Sequence, residues 1–369
     1  SYLAFPIKAK PTDSVRVAIY DYDQISADDI IGEVYVSVES LLSAGEAGLK
    51  SELTMKTRTK NKASEPPSVT LRLAGLVGES QPMKKTIFII RHGESKWNDA
   101  QSSHSVRNMV KQYDHELNTT GISQARTFNE TWHQASDDEP RLQEFLAAGA
   151  IYASPLTRAT QTALLTCQDH PFFAKGGPLV LLRQNREVKT TPMGSLDTVG
   201  QYSGDDIPGH VAMCLEKDGA SLEGLDVPKV MAPSIDTYDS VGAWWTPLNE
   251  HDGHEDLKQR FRDLWLTLRN LPAADVDKII LVGHSNFYKD MVKLHLDPAL
   301  CEREPDWTNE CKKNKLDNAS ALCLDLEWEA GVDPMTPPLI RKCEFVFGGQ
   351  WKKHKDRRKS KSADKEADP

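Results

Sequence analysis

The stretches "TIFII" (residues 86–90), "GAIYASP" (149–155) and "KIILVGHS" (278–285) share one habit: a short apolar run breaks off into charged or small residues. Apolar runs this short, without polar alternation, mark strands buried on both faces, as in a parallel sheet. Between them lie segments with helical periodicity, "TGISQARTFNETWHQA", "LTRATQTALLTC" and "HEDLKQRFRDLWLTLRNL". Strand alternating with helix predicts an α/β domain: a mostly parallel sheet with helices on both faces. "LCLDLEW" and "IRKCEFVF" add late strands.

That order has a chemical consequence. Ligands of open α/β sheets bind beyond the carboxyl ends of the strands. The first of these ends runs into Arg91 and His92, and the second into "SPLTRAT", which starts a helix holding Arg158. The third runs into Gly283, His284 and Ser285. In a parallel sheet, two histidines and two arginines then converge on one pocket. Such a pocket suits an anion, because guanidinium groups fork onto phosphate oxygens and a helix N-terminus adds backbone N–H groups. Gly93 is expected to let the backbone come close to the bound group. A neutral imidazole in that setting can attack phosphorus and form a phosphohistidine. The surrounding cations stabilise the equatorial oxygens, so catalysis needs no cofactor. Zinc held by the two histidines is disfavoured, because no cysteine or carboxylate cluster completes a site. The leaving alkoxide needs a proton, and Glu187, in the loop after the apolar run "PLVLL", is the candidate donor.

A length of 369 residues allows one large or two moderate domains. A formal charge of -9 argues against bulk nucleic-acid binding. None of the six cysteines forms a C-x-x-C pair, which fits a reducing interior. No signal-peptide pattern or long apolar run occurs, so a cytoplasmic protein, at most peripheral to a membrane, is expected. The chain starts at Ser1 inside a strand-like pattern, as a fragment would.

The pattern divides the chain into an all-β region at 1–75, a linker at 76–85, the α/β domain at 86–351 and a tail at 352–369. Residues 1–75 read as short strands, including "SVRVAIYDYD", "GEVYVSV" and "SVTLRLAG". In "IYDYDQISADDIIGEVYV", Asp21, Asp23, Asp28 and Asp29 crowd one loop, and clustered acids between strands can bind Ca²⁺. The tail is poor in apolar residues and is expected to be disordered. Its first ten residues hold seven basic side chains and one acid.

"RHGES", followed by Trp97 and Asn98, resembles the signature of the histidine phosphatase, or phosphoglycerate mutase-like, superfamily. "ELNTTGISQA", "SPLTRATQTA", "VGHSNF" and "DNAS" resemble later motifs of that family in the same order, over roughly residues 84–330. The resemblance implies a phosphoglycerate mutase-like fold and metal-independent hydrolysis of a phosphomonoester. Carried over by position, His92 is the nucleophile, while Arg91, Asn98, Arg158 and His284 hold the phosphoryl group. Glu187 is the general acid and then the base that activates water. Asn118 stands where threonine is common and Ser285 where glycine is common, and both are expected to bear on substrate fit.

The loop after residue 183 lacks the Y-G-x-L-x-G sequence typical of mutases and sits closer to a "DTG"-bearing phosphatase branch, read loosely as "LDTVG". Hydrolysis is therefore favoured over mutase-type transfer. A different kind of rival is a lipid-binding adaptor with an inactive phosphatase domain. Residues 188–256 are expected to form the lid and specificity wall. The front region resembles the second half of a C2 sandwich, which implies Asp21, Asp23 and Asp29 as calcium ligands and an anionic membrane surface as partner. The basic tail adds attraction to such a surface, on the order of 1 kcal/mol per residue.

Overall fold

The computed structural model describes residues 14–20, 30–44, 49–52, 54–55, 68–71, 82–103, 105, 107, 112–136, 139–191, 195–219, 222–270, 276–330, 332 and 336–352. They belong to two compact units, one within residues 3–80 and one from Gln81 onward.

The first unit pairs β1 (Ser14–Tyr20) antiparallel with β2 (Ile30–Ser37), and β2 with the short β4 (Thr54–Met55). A separate ladder joins β3 (Leu49–Glu52) to β5 (Ser68–Leu71). Period-two alternation marks β1, β2 and β5, whereas β3 and β4 were not among the expected strands. The helix Val38–Ala44 departs from the all-β expectation: "VESLLSA" follows directly on β2 and buries Val38 and Leu41. Asp21, Asp23 and Asp29, the expected calcium ligands, lie outside the described residues, as does the tail beyond Lys352.

The second unit is built on a seven-stranded sheet in the order β12-β11-β6-β10-β7-β8-β9. Its strands are β6 (Met83–Arg91), β7 (Ala150–Ala153), β8 (Leu179–Leu181), β9 (Ile235–Asp236), β10 (Lys278–Gly283), β11 (Ala321–Trp328) and β12 (Leu339–Val346). β6, β10, β7, β8 and β9 are mutually parallel, whereas β11 runs antiparallel to both β6 and β12. The fold is thus α/β with a mixed, mostly parallel sheet.

Side chains of β6 leave the sheet alternately. Ile87 and Ile89 join a core with Phe261, Trp265 and Phe287 from the helices His254–Asn270 and Ser285–His295. Phe88 and Ile90 join a core on the other face with Phe128, Phe145 and Leu164. Burying each such side chain stabilises the fold by about 1.5–3 kcal/mol, enough to force the uniform apolar run that the sequence shows. The linker boundary needs correction, because β6 begins at Met83. Lys84 and Lys85 read as polar linker, yet they pair with Glu327 and Leu326 of β11, and Lys84 reaches Glu327 at 3.4 Å.

Candidate active site

The parallel ladders bring the three strand ends to one edge. The His92 N–H donates to Gly283 O at 2.9 Å, the Ser154 N–H to Val282 O at 3.0 Å, and the Arg91 N–H to Ser320 O at 3.0 Å. The segment leading into antiparallel β11 reaches the same edge: the Asn318 side-chain amide donates to His92 O at 3.1 Å. Ala319 there takes a φ of 51°, in the left-handed region that a non-glycine residue rarely enters.

Arg91, His92, Arg158 and His284 are all buried. The His92 ring donates from Nδ1 to Gly93 O at 2.6 Å, which fixes the tautomer and leaves a lone pair on Nε2. The Arg158 Nε–H points at that atom from 3.3 Å. The ring centroids of His92 and His284 are 5.1 Å apart. His284 Nε2 lies 2.9 Å from Ser154 Oγ. With that hydroxyl donating, the Nδ1–H is left to point at an anion. His284 Nδ1 and Arg91 Nε are buried polar atoms without a hydrogen-bond partner among the described residues. Orphaned buried donors of this kind are uncommon and fit an oxyanion. The Arg91 fork is steadied by donation from Nη1 to Leu316 O at 2.8 Å.

Burial and the neighbouring guanidiniums favour the neutral form of both imidazoles. Burial, then Arg158, then Arg91 push His92 well below its usual range. Burial, Arg158 and His92 do the same to His284. Burial brings Arg91 down to about 10, which still leaves it cationic at neutral pH. A buried neutral imidazole flanked by two guanidiniums can act as a nucleophile toward an anionic electrophile.

Asn98 caps the helix beside the site. Its side-chain oxygen accepts from Ser95 N at 3.2 Å, and its own N–H donates to Ser95 Oγ at 3.2 Å, a reciprocal cap on the helix Lys96–Ser102. Gly93 also serves differently from expectation. A Cβ there would sit 2.5 Å from Gly121 O, so the glycine admits a neighbouring backbone. Its N–H donates to Thr162 Oγ1 at 3.0 Å, tying the loop to the helix Thr157–Thr166.

Glu187 lies at the amino end of the helix Ser285–His295. Oε1 accepts from Val188 N at 2.9 Å and Phe287 N at 3.1 Å, and Oε2 accepts from Asn286 Nδ2 at 3.2 Å and Asn286 N at 3.5 Å. Sequence reasoning missed Asp197, in a 3-10 turn at Leu196–Thr198. Its carbonyl accepts from Arg158 Nη1 at 2.6 Å, and its Oδ2 is 3.5 Å from Arg158 Nη2. Burial pushes this carboxyl up to about 6, against the pull of Arg158. The quoted "LDTVG" contained the residue, but nothing in the spacing tied it to Arg158. Asp114, also missed, accepts from Thr157 N at 2.9 Å and Thr157 Oγ1 at 2.8 Å, which holds the turn that carries Arg158. Its own φ of 43° is a strained position that aspartate tolerates better than most residues.

Residues 87–175 match the model of histidine phosphatase superfamily (branch 1), and residues 2–53 match that of the C2 domain. The first match contains Arg91, His92, Asn98 and Arg158 and ends before Glu187, Asp197 and His284. No curated protein matches the chain. Similar solved structures include a phosphoglycerate mutase from Bacillus anthracis, at 15% identity over 73% of this chain and 95% of that one, TM-score 0.39. A phosphoserine phosphatase from Entamoeba histolytica is 17% identical over 70% and 96%, TM-score 0.33. A mycobacterial glucosyl-3-phosphoglycerate phosphatase is 16% identical over 71% and 97%, TM-score 0.36. None is near enough to transfer a substrate.

Proposed function

We propose that this chain, which carries a branch 1 histidine phosphatase domain and a C2 domain, hydrolyses phosphomonoesters through a phosphohistidine on His92, without a metal. The observation that carries the reading is the fixed His92 tautomer: Nδ1 is spent on Gly93 O, and Nε2 faces the Nε–H of Arg158. Arg91, Arg158 and the His284 Nδ1–H hold the three non-bridging oxygens and stabilise the charge gathered there in the transition state. Asn98 braces the loop between the nucleophile and its helix. Two carboxyl groups border the arrangement, Glu187, the donor read from sequence, and Asp197. One of them gives the leaving oxygen its proton and then takes a proton from water. Hydrolysis is preferred to mutase-type transfer because the loop at 183–200 lacks the mutase sequence.

The test is turnover of an aryl phosphate in EDTA, with the enzyme quenched in alkaline detergent and examined for a phosphoryl adduct. The expected result is turnover, plus an adduct lost in mild acid and absent from His92→Ala. Equal turnover by a folded His92→Ala would sink the mechanism. Phosphoryl exchange between positions of a phosphoglycerate, with little release of phosphate, would instead identify a mutase.

The C2 match supports recruitment to anionic membrane, with Asp21, Asp23 and Asp29 as calcium ligands and the basic stretch after residue 351 adding attraction. No helix among the described residues is long and apolar enough to cross a membrane. Calcium-dependent pelleting with phosphatidylserine vesicles tests this role. Binding that ignores chelation removes calcium from it, and pelleting without any turnover supports the adaptor reading.

A further inference from the structure

We infer that the buried ion pair between Arg260 and Asp252 is a positioning device for Glu187, fixing where that carboxyl stands for proton transfer. The inference rests on the phosphohistidine reading above, with Glu187 as its proton donor.

Glu187 sits on a loop, and proton transfer tolerates little misplacement of the group that carries the proton. Arg260 supplies two supports. It lies in the second turn of the helix His254–Asn270 and is buried. Its Nη2 donates to Arg186 O, the carbonyl of the peptide unit that begins Glu187, and reaches Gln184 O at 3.5 Å. The guanidinium also stands over the Phe287 ring, 5.0 Å from its centroid. Phe287 is the residue whose N–H donates to Glu187 Oε1. One cation therefore contacts the backbone that leads into Glu187 and the side chain of a residue that holds its carboxyl.

Asp252 grips the chain on the other side of Glu187. Its Oδ2 accepts from Lys189 N at 2.8 Å, and its own N–H donates to Lys189 O at 2.9 Å. Its Oδ1 accepts from Thr246 Oγ1 at 2.9 Å and from Arg186 Nη2 at 3.4 Å. Arg260 Nη1 closes the frame on Asp252 Oδ2 at 2.8 Å, with both side chains under a tenth exposed. Residues 186 and 189 are thus pinned to one ion pair, and Glu187 lies between them. Buried ion pairs rarely outdo apolar packing as stabilisers, so stability alone explains this one poorly. The division of the fork is more telling. A bidentate grip on Asp252 would best satisfy both charges, yet one arm leaves the carboxylate for the carbonyl before Glu187.

The step that depends on this placement balances. His92 Nε2 bonds to phosphorus as the P–O ester bond breaks, and the leaving oxygen takes the Glu187 proton with that electron pair. Water then returns a proton to Glu187 as its oxygen attacks phosphorus and the N–P bond breaks. Arg260 and Asp252 exchange no proton in either step.

The experiment compares ethyl phosphate, whose alkoxide must be protonated, with 2,4-dinitrophenyl phosphate, whose phenolate leaves unaided. Arg260→Lys keeps a charge for Asp252 but has no second arm for Arg186 O. Its kcat/KM on ethyl phosphate should fall by about 10–10²-fold, as a displaced catalytic group requires. On the dinitrophenyl ester kcat/KM reports phosphorylation alone, and its fall should be at least about fivefold smaller. On that ester the phosphoryl adduct should accumulate, because its hydrolysis has lost a well-placed base. An equal fall on both esters would mark the pair as merely structural and overturn the inference, as would no fall in a folded variant. Should Arg260→Lys fail to fold, Thr246→Val carries the test, since it removes one donor from Asp252 with little change of shape. It should show the same selectivity, several-fold in size, and a proportionate loss or none overturns the inference. Glu187→Gln, run in parallel, should be more selective than either. A proportionate loss there is a separate failure, that of Glu187 as proton donor, and absence of an adduct in the wild type is that of the phosphohistidine reading.

Discussion

The two halves of the site are built on different principles. Arg91, His92 and His284 stand at sheet ends, where the backbone N–H groups of Arg91 and His92 are tied to neighbouring segments and the His284 C=O begins a helix, and Arg158 sits in the first turn of another helix. Glu187 and Asp197 stand on a loop between β8 and the helix Asp206–Gly219, held by side-chain contacts. The sheet half carries cations and imidazoles at fixed positions, and the loop half carries two carboxyl groups. Fixed charge suits binding a phosphoryl group whose charge changes little in position, whereas proton transfer must follow the leaving group of a particular substrate. Substrate differences within one fold are thus best accommodated on the loop.

The largest expected effect breaks the sheet half. Arg158→Ala removes the group that touches both His92 and Asp197. It should lower kcat/KM by about 10²–10³-fold, in line with loss of one charge-stabilising donor, with little change in Tm. Arg158→Lys should recover only a small part, because an ammonium cannot present two edges. Recovery to near wild-type activity would show that Arg158 acts as a point charge and not as a fork.

The halves should also respond to pH with opposite sign. His92 and His284 are pushed down, so the stability they contribute is present above the unfolded histidine value and is lost as pH falls below it. Asp197 is pushed up from 3.8 to about 6, so its contribution is present at low pH and is lost as pH rises from about 4 through 6. At 1.36 kcal/mol per pH unit, that rise corresponds to roughly 3 kcal/mol. Denaturant unfolding of wild type and Asp197→Asn across this range should show the variant gaining on the wild type by up to that amount. A constant difference would place Asp197 in water rather than in the site.

How much of this could be read beforehand follows the same division. The sheet half was legible because a strand buried on both faces writes its length and its end into the chain, so "TIFII" announces Arg91 and "IILVG" announces His284. β11 and β12 were legible as late runs rich in apolar residues, although β12 buries only Ile340, Cys343 and Val346. The start of β6 was not, because Lys84 meets Glu327 across the sheet and Lys85 pairs in register with Leu326, and a cross-strand partner leaves no local trace. Glu187 could be named from its place after an apolar run, but whether its oxygens were free depended on a helix a hundred residues later. Asp197 and Asp114 depend wholly on such distant pairing. The meeting of two arginines and two histidines at one sheet edge was readable, and the side-chain partners of the two carboxyls were not.

Gly93→Ala sharpens the contrast at smaller scale. Its Cβ would collide with Gly121 O, a backbone atom that cannot swing aside. Overpacking of this kind typically costs about 1–3 kcal/mol. Because the strain falls on the residue after His92, activity should drop further than stability alone explains. Unchanged Tm and unchanged kcat/KM together would mean that the two loops are not held against each other in solution.

The smallest effect concerns Asn118, which was expected to bear on substrate fit. Its side-chain oxygen instead accepts from Gly121 N at 2.8 Å, capping the helix Thr119–Gln134, and its amide donates to Glu94 Oε1 at 2.8 Å. Asn118→Ala should cost about 1 kcal/mol of stability, as loss of an N-cap does. Asn118→Thr should keep the cap and lose only the donation to Glu94, so its Tm should lie between those of wild type and alanine. Both variants should leave the ratio of kcat/KM between two unlike phosphomonoesters unchanged. A shift in that ratio, without a matching change in Tm, would return Asn118 to the specificity wall and move part of the substrate's seat from the loop half to the sheet half.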